Sequence, residues 1–226
     1  MPKSLSAASQ AKKVTANAPA PGIGKLTSLD KSNAILDAAA LVFMELGFAT
    51  ASVDDISAAY GATKGIIYYH FKNKSTLFFA VQRRAMEMTR AAIEPHALSD
   101  DAPSRKLYKM AHAHTLLIMQ QLSYLRVAAQ GLELHLSGRT NTKERSELKA
   151  ITDLRDSNEM MYVQVIDEGI QNGEFQNVDP KLWVKPLLGA LNWTSRWYRP
   201  RPHESDTDQD RIAHELASFA LQAFRQ

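Results

Sequence analysis

Residues 53–74 read VDDISAAYGATKGIIYYHFKNK. Val53, Ile56 and Ala59 recur at helical spacing, a glycine stands at 61, and Ile67 and Phe71 anchor a second short run. A tight turn between two short helices needs a residue at positive φ, which glycine adopts without a Cβ penalty. Working outward, Ser52 followed by Asp55 forms a capping box that opens the helix ending near Tyr60. Thr63 is expected to cap the helix over about 64–70. Asn73 is expected to cap a fourth helix that runs to about Ile93 and stops at Pro95. Upstream, Ile35, Leu36, Ala39, Val42, Phe43 and Leu46 describe a helix that Gly47 ends. Three short helices and a glycine turn are the parts of a helix-turn-helix head.

A helix that enters the major groove must offer polar groups to base edges and phosphates. With Ile67 inward, Lys64, Gly65, Tyr68, Tyr69 and His70 fall on the outer or N-terminal side, and Gly65 lets backbone come near DNA. Lys74 begins the next helix, where its ammonium is expected to reach a phosphate. Thr50 and Ser52 precede a helix whose N-terminal amides favour an anion. The Ser52 and Thr63 hydroxyls have capping as an alternative role, Tyr68 and Tyr69 packing, and His70 a partly buried hydrogen bond. Tyr60, just before the turn glycine, is expected to pack.

Charge points the same way. Residues 1–75 carry 8 lysines against 5 acidic residues, whereas residues 76–226 carry 19 basic and 19 acidic residues. The whole net charge of +3 sits in the N-terminal third, as a module facing phosphates requires. Residues 1–28, rich in Ala, Ser, Pro, Lys and Gly without periodicity, read as a disordered basic arm. From it Lys3, Lys12, Lys13 and Lys25 are within reach of DNA.

Residues 33–78 resemble the TetR family of bacterial transcriptional regulators. The likeness lies in Ile35-Leu36-Asp37-Ala38-Ala39, Phe43, Gly47-Phe48, Thr50, Asp55-Ile56, Gly61, Lys64-Gly65, Ile67-Tyr68-Tyr69-His70-Phe71, Lys74 and Leu77. The resemblance implies a homodimer on a double-stranded palindromic operator and a C-terminal helical domain that takes a small-molecule effector and releases DNA. It also implies DNA contacts at Lys64, Gly65, Tyr68, Tyr69, His70 and Lys74. The segment Gly169–Phe175, with Asp179-Pro180 and Leu188–Trp193, is similar to a subgroup controlling fatty-acid, steroid or aromatic-acid catabolism, whose inducers are often acyl-CoA thioesters. Arg126, Arg155 or Arg196 would then meet nucleotide phosphates, with surface salt bridges as the alternative role for each.

The rest of the chain also reads as helices, at about 103–122, 123–137, 143–172, 180–198 and 207–225. Breaks fall at Asp100–Pro103, Ser137-Gly138, Asn172-Gly173 and Arg199–Pro202, and Asp179-Pro180 makes a helix entry. The fold class is all-α. It comprises a three-helix DNA-binding head over 29–75 and a helical bundle over 76–226 for effector binding and dimerisation. The last two helices hold more apolar residues than one stripe needs: Leu182, Trp183, Leu187, Leu188, Leu191, Trp193, Trp197, Leu216, Phe219, Ala220, Ala223 and Phe224. That is expected of a homodimer interface, with the intramolecular core as the alternative for each. Met110, His114, Leu117, Ile118, Gln121, Tyr124 and Leu125 are candidates to line the effector site, with core packing as the alternative for each. Met161, Tyr162, Val165, Asn192, Trp193 and Trp197 are candidates with the same alternative.

Several classes fall away. With no cysteine, disulfide, thiol and zinc-finger chemistry are excluded, and a reducing cytoplasm fits. No apolar stretch approaches a membrane span, and the N-terminus lacks a signal-peptide core. His112 and His114 diverge by about 200° on a helix and cannot chelate one ion. No Walker, nucleophile-elbow, dinucleotide or zinc-protease motif occurs, so neither enzyme nor cofactor is expected. The competing reading is a helical DNA-binding or protein-interaction module without a small-molecule ligand.

Overall fold

A capping box opens the first helix: the Thr27 hydroxyl accepts from the Asp30 N–H at 3.1 Å, and the Asp30 carboxylate accepts from the Thr27 N–H at 3.0 Å. In the computed structural model, which describes residues 27–136 and 142–225, the helices are α1 (Ser28–Thr50), α2 (Val53–Tyr60), α3 (Lys64–His70), α4 (Lys74–Ala97) and α5 (Pro103–Gln120), followed by α6 (Leu122–Leu136), α7 (Thr142–Gln171), α8 (Pro180–Trp197) and α9 (Asp206–Gln222). No strand occurs among the described residues, as an all-α chain requires. The expected arm, apart from its last two residues, and the break at Ser137-Gly138 lie outside the described residues.

The expected capping boxes and turn are present. Ser52 and Asp55 exchange side-chain bonds with each other's backbone N–H. Gly61 adopts φ 77°, with its N–H on the Ser57 and Ala58 carbonyls. Asn73 accepts from the Thr76 N–H at 2.8 Å, and Asp179 from those of Lys181 and Leu182.

Three local expectations are corrected. Gly47 breaks the helical path at φ 73°, yet a further turn to Thr50 follows it before the chain leaves α1. Pro95 does not end α4, which continues to Ala97. In a final turn the ring forfeits one backbone bond, and the Leu98 N–H still closes on the Glu94 carbonyl at 3.0 Å. Thr63 stands at the N-cap of α3, but its hydroxyl makes no capping bond.

Helix α1 is long and apolar enough, by composition, to cross a membrane. In the fold its apolar side, with Ile35, Ala39, Val42 and Phe43 buried, is covered by α2, α4 and α6. Phe78 of α4 lies between Phe43 and Phe48, with ring centroids at 5.1 and 4.5 Å; such pairs add about 0.5–1.5 kcal/mol beyond burial. That hydrophobic cluster continues through Ile118, Tyr124, Val127, Leu148 and Ile151, so head and bundle share one core. The Tyr124 hydroxyl donates to Asp37 at 2.7 Å, and Arg84 to Asn33, which bolts the head to α6 and α4. A second cluster joins α5, α7, α8 and α9 around Leu107, Tyr162, Val184, Leu191 and Phe224.

Candidate nucleic-acid interface and effector cavity

On α3, Ile67 is the buried anchor, and Lys64, Gly65, Ile66, Tyr68 and Tyr69 are exposed. Tyr69 is 83% exposed, which removes packing as its role. His70 is half-buried, its ring edge-on to Tyr69 at 5.1 Å. Ile66, overlooked in the sequence because it belongs to the apolar pattern, is 42% exposed beside the tyrosines. A side chain of that kind suits a thymine methyl group.

Two of the expected cations are already engaged. Lys64 donates to Asp54 of α2 at 2.8 Å, and that carboxylate raises the lysine's pKa. Lys74 is placed differently from the expectation. Its ammonium donates to the carbonyls of Phe48 and Ala51, both at 2.7 Å, and of Ala49 at 3.3 Å. It also lies over the Phe48 ring, 4.7 Å from the centroid. An ammonium has three protons, and all three are used to close the orphan carbonyls at the end of α1. Lys74 therefore holds α1 to α4. Ser52 spends its hydroxyl on Asp55, and Asp54 and Asp55 occupy the first turn of α2, so its N-terminus already carries negative charge. Thr50 and Thr63 are exposed.

Inside the bundle lies a cavity of about 490 Å³, walled by α4, α5, α6, α7 and α8. Of the residues expected there, His114, Ile118, Leu125, Tyr162, Asn192 and Trp193 line it. Met110 is fully buried in the second cluster. Leu117 packs on the first cluster, as does Tyr124, whose hydroxyl is bound to Asp37. Met161 and Val165 face an outer groove between α4 and α7. Gln121 and Trp197 do not line the cavity either. Helical spacing placed all of these on inward stripes, and packing decides which stripe meets empty space.

The cavity's inner end is polar but uncharged. Burial lowers the His114 pKa to about 4 and raises that of Tyr162, so both are neutral near pH 7. The Tyr162 hydroxyl donates to the Met110 carbonyl at 3.2 Å and lies 3.1 Å from His114 Nδ1. Sequence reasoning missed Gln82 and Asn158. Gln82 stands on the stripe of Phe78, Ala85 and Thr89, and Asn158 on that of Ile151, Tyr162 and Val165. An amide on an otherwise apolar stripe was the available signal. At the rim, Arg155, Lys185 and Arg196 are exposed; Arg155 pairs with Asp156 and Lys185 with Glu159. Arg126 is not at the rim: it donates to the Ser195 and Tyr198 carbonyls, both at 2.8 Å, and closes the end of α8. His112 and His114 face opposite ways, the first to Asp210 of α9 and the second into the bundle.

On the outer side of α8 and α9, Leu182, Trp193, Trp197 and Phe219 are all exposed, at 64, 64, 46 and 63%. Val184, Leu187 and Leu191 of α8 and Ala213, Ala217 and Ala220 of α9 face inward.

Residues 35–81 match the family described as bacterial regulatory proteins, tetR family, and residues 100–224 match the tetracyclin repressor-like C-terminal domain. Among curated relatives, the HTH-type transcriptional repressor KstR2 of Mycobacterium tuberculosis is 26% identical over 176 residues, covering 74% of this chain and 80% of that protein. KstR2 of Rhodococcus jostii is 22% identical over 196 residues, covering 83% and 87%. Among solved structures, the TetR-family regulator PfmR of Thermus thermophilus superposes with a TM-score of 0.70 at 26% identity, over 83% of this chain and 97% of its own. The ketosteroid regulator KstR2 of M. tuberculosis superposes at 0.74 and 22%, over 90% and 98%. AibR, solved with isovaleryl coenzyme A and operator DNA, superposes at 0.69 and 20%, over 86% and 98%. With one family model spanning its reading head and another more than half its length, the chain belongs to the TetR family of bacterial DNA-binding transcriptional regulators.

Proposed function

We propose that the protein is a cytoplasmic homodimeric repressor that leaves a palindromic operator when a small apolar or acyl-thioester effector enters the bundle cavity. Tyr69 carries the DNA half of this reading. An aromatic ring standing almost wholly in water on the shortest helix of a folded head has no packing function. Beside Tyr68, Ile66 and Lys64 it forms a projecting surface suited to base edges and sugar-phosphate. The working division is a reading head over 29–75 and a sensing and assembly body over 76–226.

Dimerisation rests on the exposed apolar face of α8 and α9. An isologous pairing buries each of these side chains twice, and two-fold symmetry sets the two heads on half-sites about 34 Å, or one DNA turn, apart. An effector that fits the cavity touches α4 at Met86, Thr89 and Ile93. The same helix begins at Lys74, which grips the end of α1. A shift of α4 therefore moves the head directly. The cations at the rim suit the anionic part of a coenzyme A thioester, the ligand class of the structurally similar AibR.

The test uses Ala129→Trp, which fills part of the cavity from α6. Duplex DNA flanking the protein's own coding region is incubated with wild type and variant, and an acyl-CoA panel is added. The expected result is equal operator affinity, with release of the wild type alone. Release of both proteins to the same extent removes the cavity from the mechanism.

A further inference from the structure

Gln82 and Asn158 are 2% and 5% exposed, and each carries a polar atom with no partner: Nε2 of Gln82 and Oδ1 of Asn158. Both residues line the cavity. The Asn158 amide nitrogen is fixed on the Met86 carbonyl of α4 at 2.9 Å, and Met86 stands one helical turn beyond Gln82. The two amides therefore meet α4 within one helical turn of each other. A buried polar atom without a partner costs free energy and is retained where something else requires it.

The surroundings favour keeping the Gln82 carboxamide where it is. On α6, Gly131 faces it so closely that an added Cβ would lie 1.6 Å from Gln82 Oε1. A glycine within a helix is itself unfavourable, and here its missing Cβ leaves the room that the Gln82 amide fills. His114 extends the polar strip. Because the Tyr162 hydroxyl proton goes to Met110, Nδ1 of His114 is the donor in their contact and Nε2 remains an acceptor.

Resting on the proposed effector cavity, we infer that its ligand carries a neutral oxygen group, a ketone or hydroxyl on an apolar skeleton, which takes the hydrogen bond from Gln82 Nε2. A hydroxyl also donates to Asn158 Oδ1 or His114 Nε2. Plain hydrocarbon chains leave both orphans, Gln82 Nε2 and Asn158 Oδ1, unsatisfied. A carboxylate at this end finds no cation among these residues.

Decalin and 2-decalone share a bicyclic skeleton and differ by one oxygen. Calorimetric titration of the full-length protein is expected to give the ketone an affinity at least about tenfold higher than the hydrocarbon. In Gln82→Leu this preference should vanish. The ligand-free variant should melt about 2–4 °C above the wild type, because the orphan donor is gone. Equal binding of both probes by the wild type would leave the cavity in place and overturn the polar requirement. Binding of neither would overturn the cavity reading and this inference together. A Gln82→Leu protein that melts lower and keeps the ketone preference would show the amide to be structural, which also overturns it.

Discussion

His114 allows the buried, uncharged character of the cavity to be measured without any ligand. Burial holds its pKa at about 4, against 6.5 for an accessible imidazole. The folded protein therefore binds the proton less readily than the unfolded chain, and stability is fully present above about pH 6.5. It falls as the pH drops from there, and the loss is complete once the pH is below 4. The full difference corresponds to about 3 kcal/mol, and linkage between about pH 7.5 and pH 5 gives about 2 kcal/mol. His114→Asn keeps a donor near Tyr162 Oη and removes the titration. Urea unfolding of both proteins at the two pH values should show the wild type losing about 2 kcal/mol more than the variant over that interval. The carboxylates that cap α1, α2 and α9, those of Asp30, Asp55 and Asp208, have lowered pKa values, so their losses lie at more acid pH. Parallel pH dependence in the two proteins would mean that water or a counter-charge reaches His114, and the closed polar end of the cavity would be wrong.

Other perturbations separate structural from DNA-contacting roles. Lys74→Met keeps an aliphatic stem but loses the bonds to three carbonyls and the cation over Phe48, so calorimetry should show destabilisation of about 1.5–3 kcal/mol. The salt slope of DNA binding should not change, because no phosphate contact is lost. Asp54→Asn breaks an exposed ion pair and should shift stability by less than about 1 kcal/mol. It should tighten non-specific DNA binding, measured by anisotropy, by freeing Lys64. Phe219→Lys would place two charges in the proposed symmetric interface. Sedimentation should show monomers with unchanged helicity, and a persistent dimer would move the interface elsewhere.

The reading head was legible because its signals are local. Ser52 and Asp55 lie within one turn, Gly61 answers a single backbone dihedral, and Ile67 and Phe71 declare the buried side of α3. The direction of a long flexible side chain is not local. Lys74 turned inward because Gly47 breaks α1 and leaves carbonyls at its end, a meeting of residues more than twenty positions apart. The cavity was only partly legible. Met110, Leu117, Tyr124 and His114 share the inward sides of α5 and α6, and nothing in their spacing says that His114 borders a void while Met110 is packed over. Gln82 and Asn158 went unnoticed because a polar residue on an apolar stripe acquires meaning only when its neighbours prove unable to satisfy it.

The reading surface of α3 is tested most directly by titrating wild type, Tyr68→Ala and Tyr69→Ala against duplex from the native locus and against a scrambled duplex of equal length, over a range of salt. Both exposed tyrosines can be removed without cost to folding, so melting should stay within about 0.5 kcal/mol of wild type. Affinity for the native duplex should fall about tenfold or more, and affinity for the scrambled duplex much less. Wild-type protein that binds the two duplexes equally, or tyrosine variants that retain full preference for the native one, would contradict it.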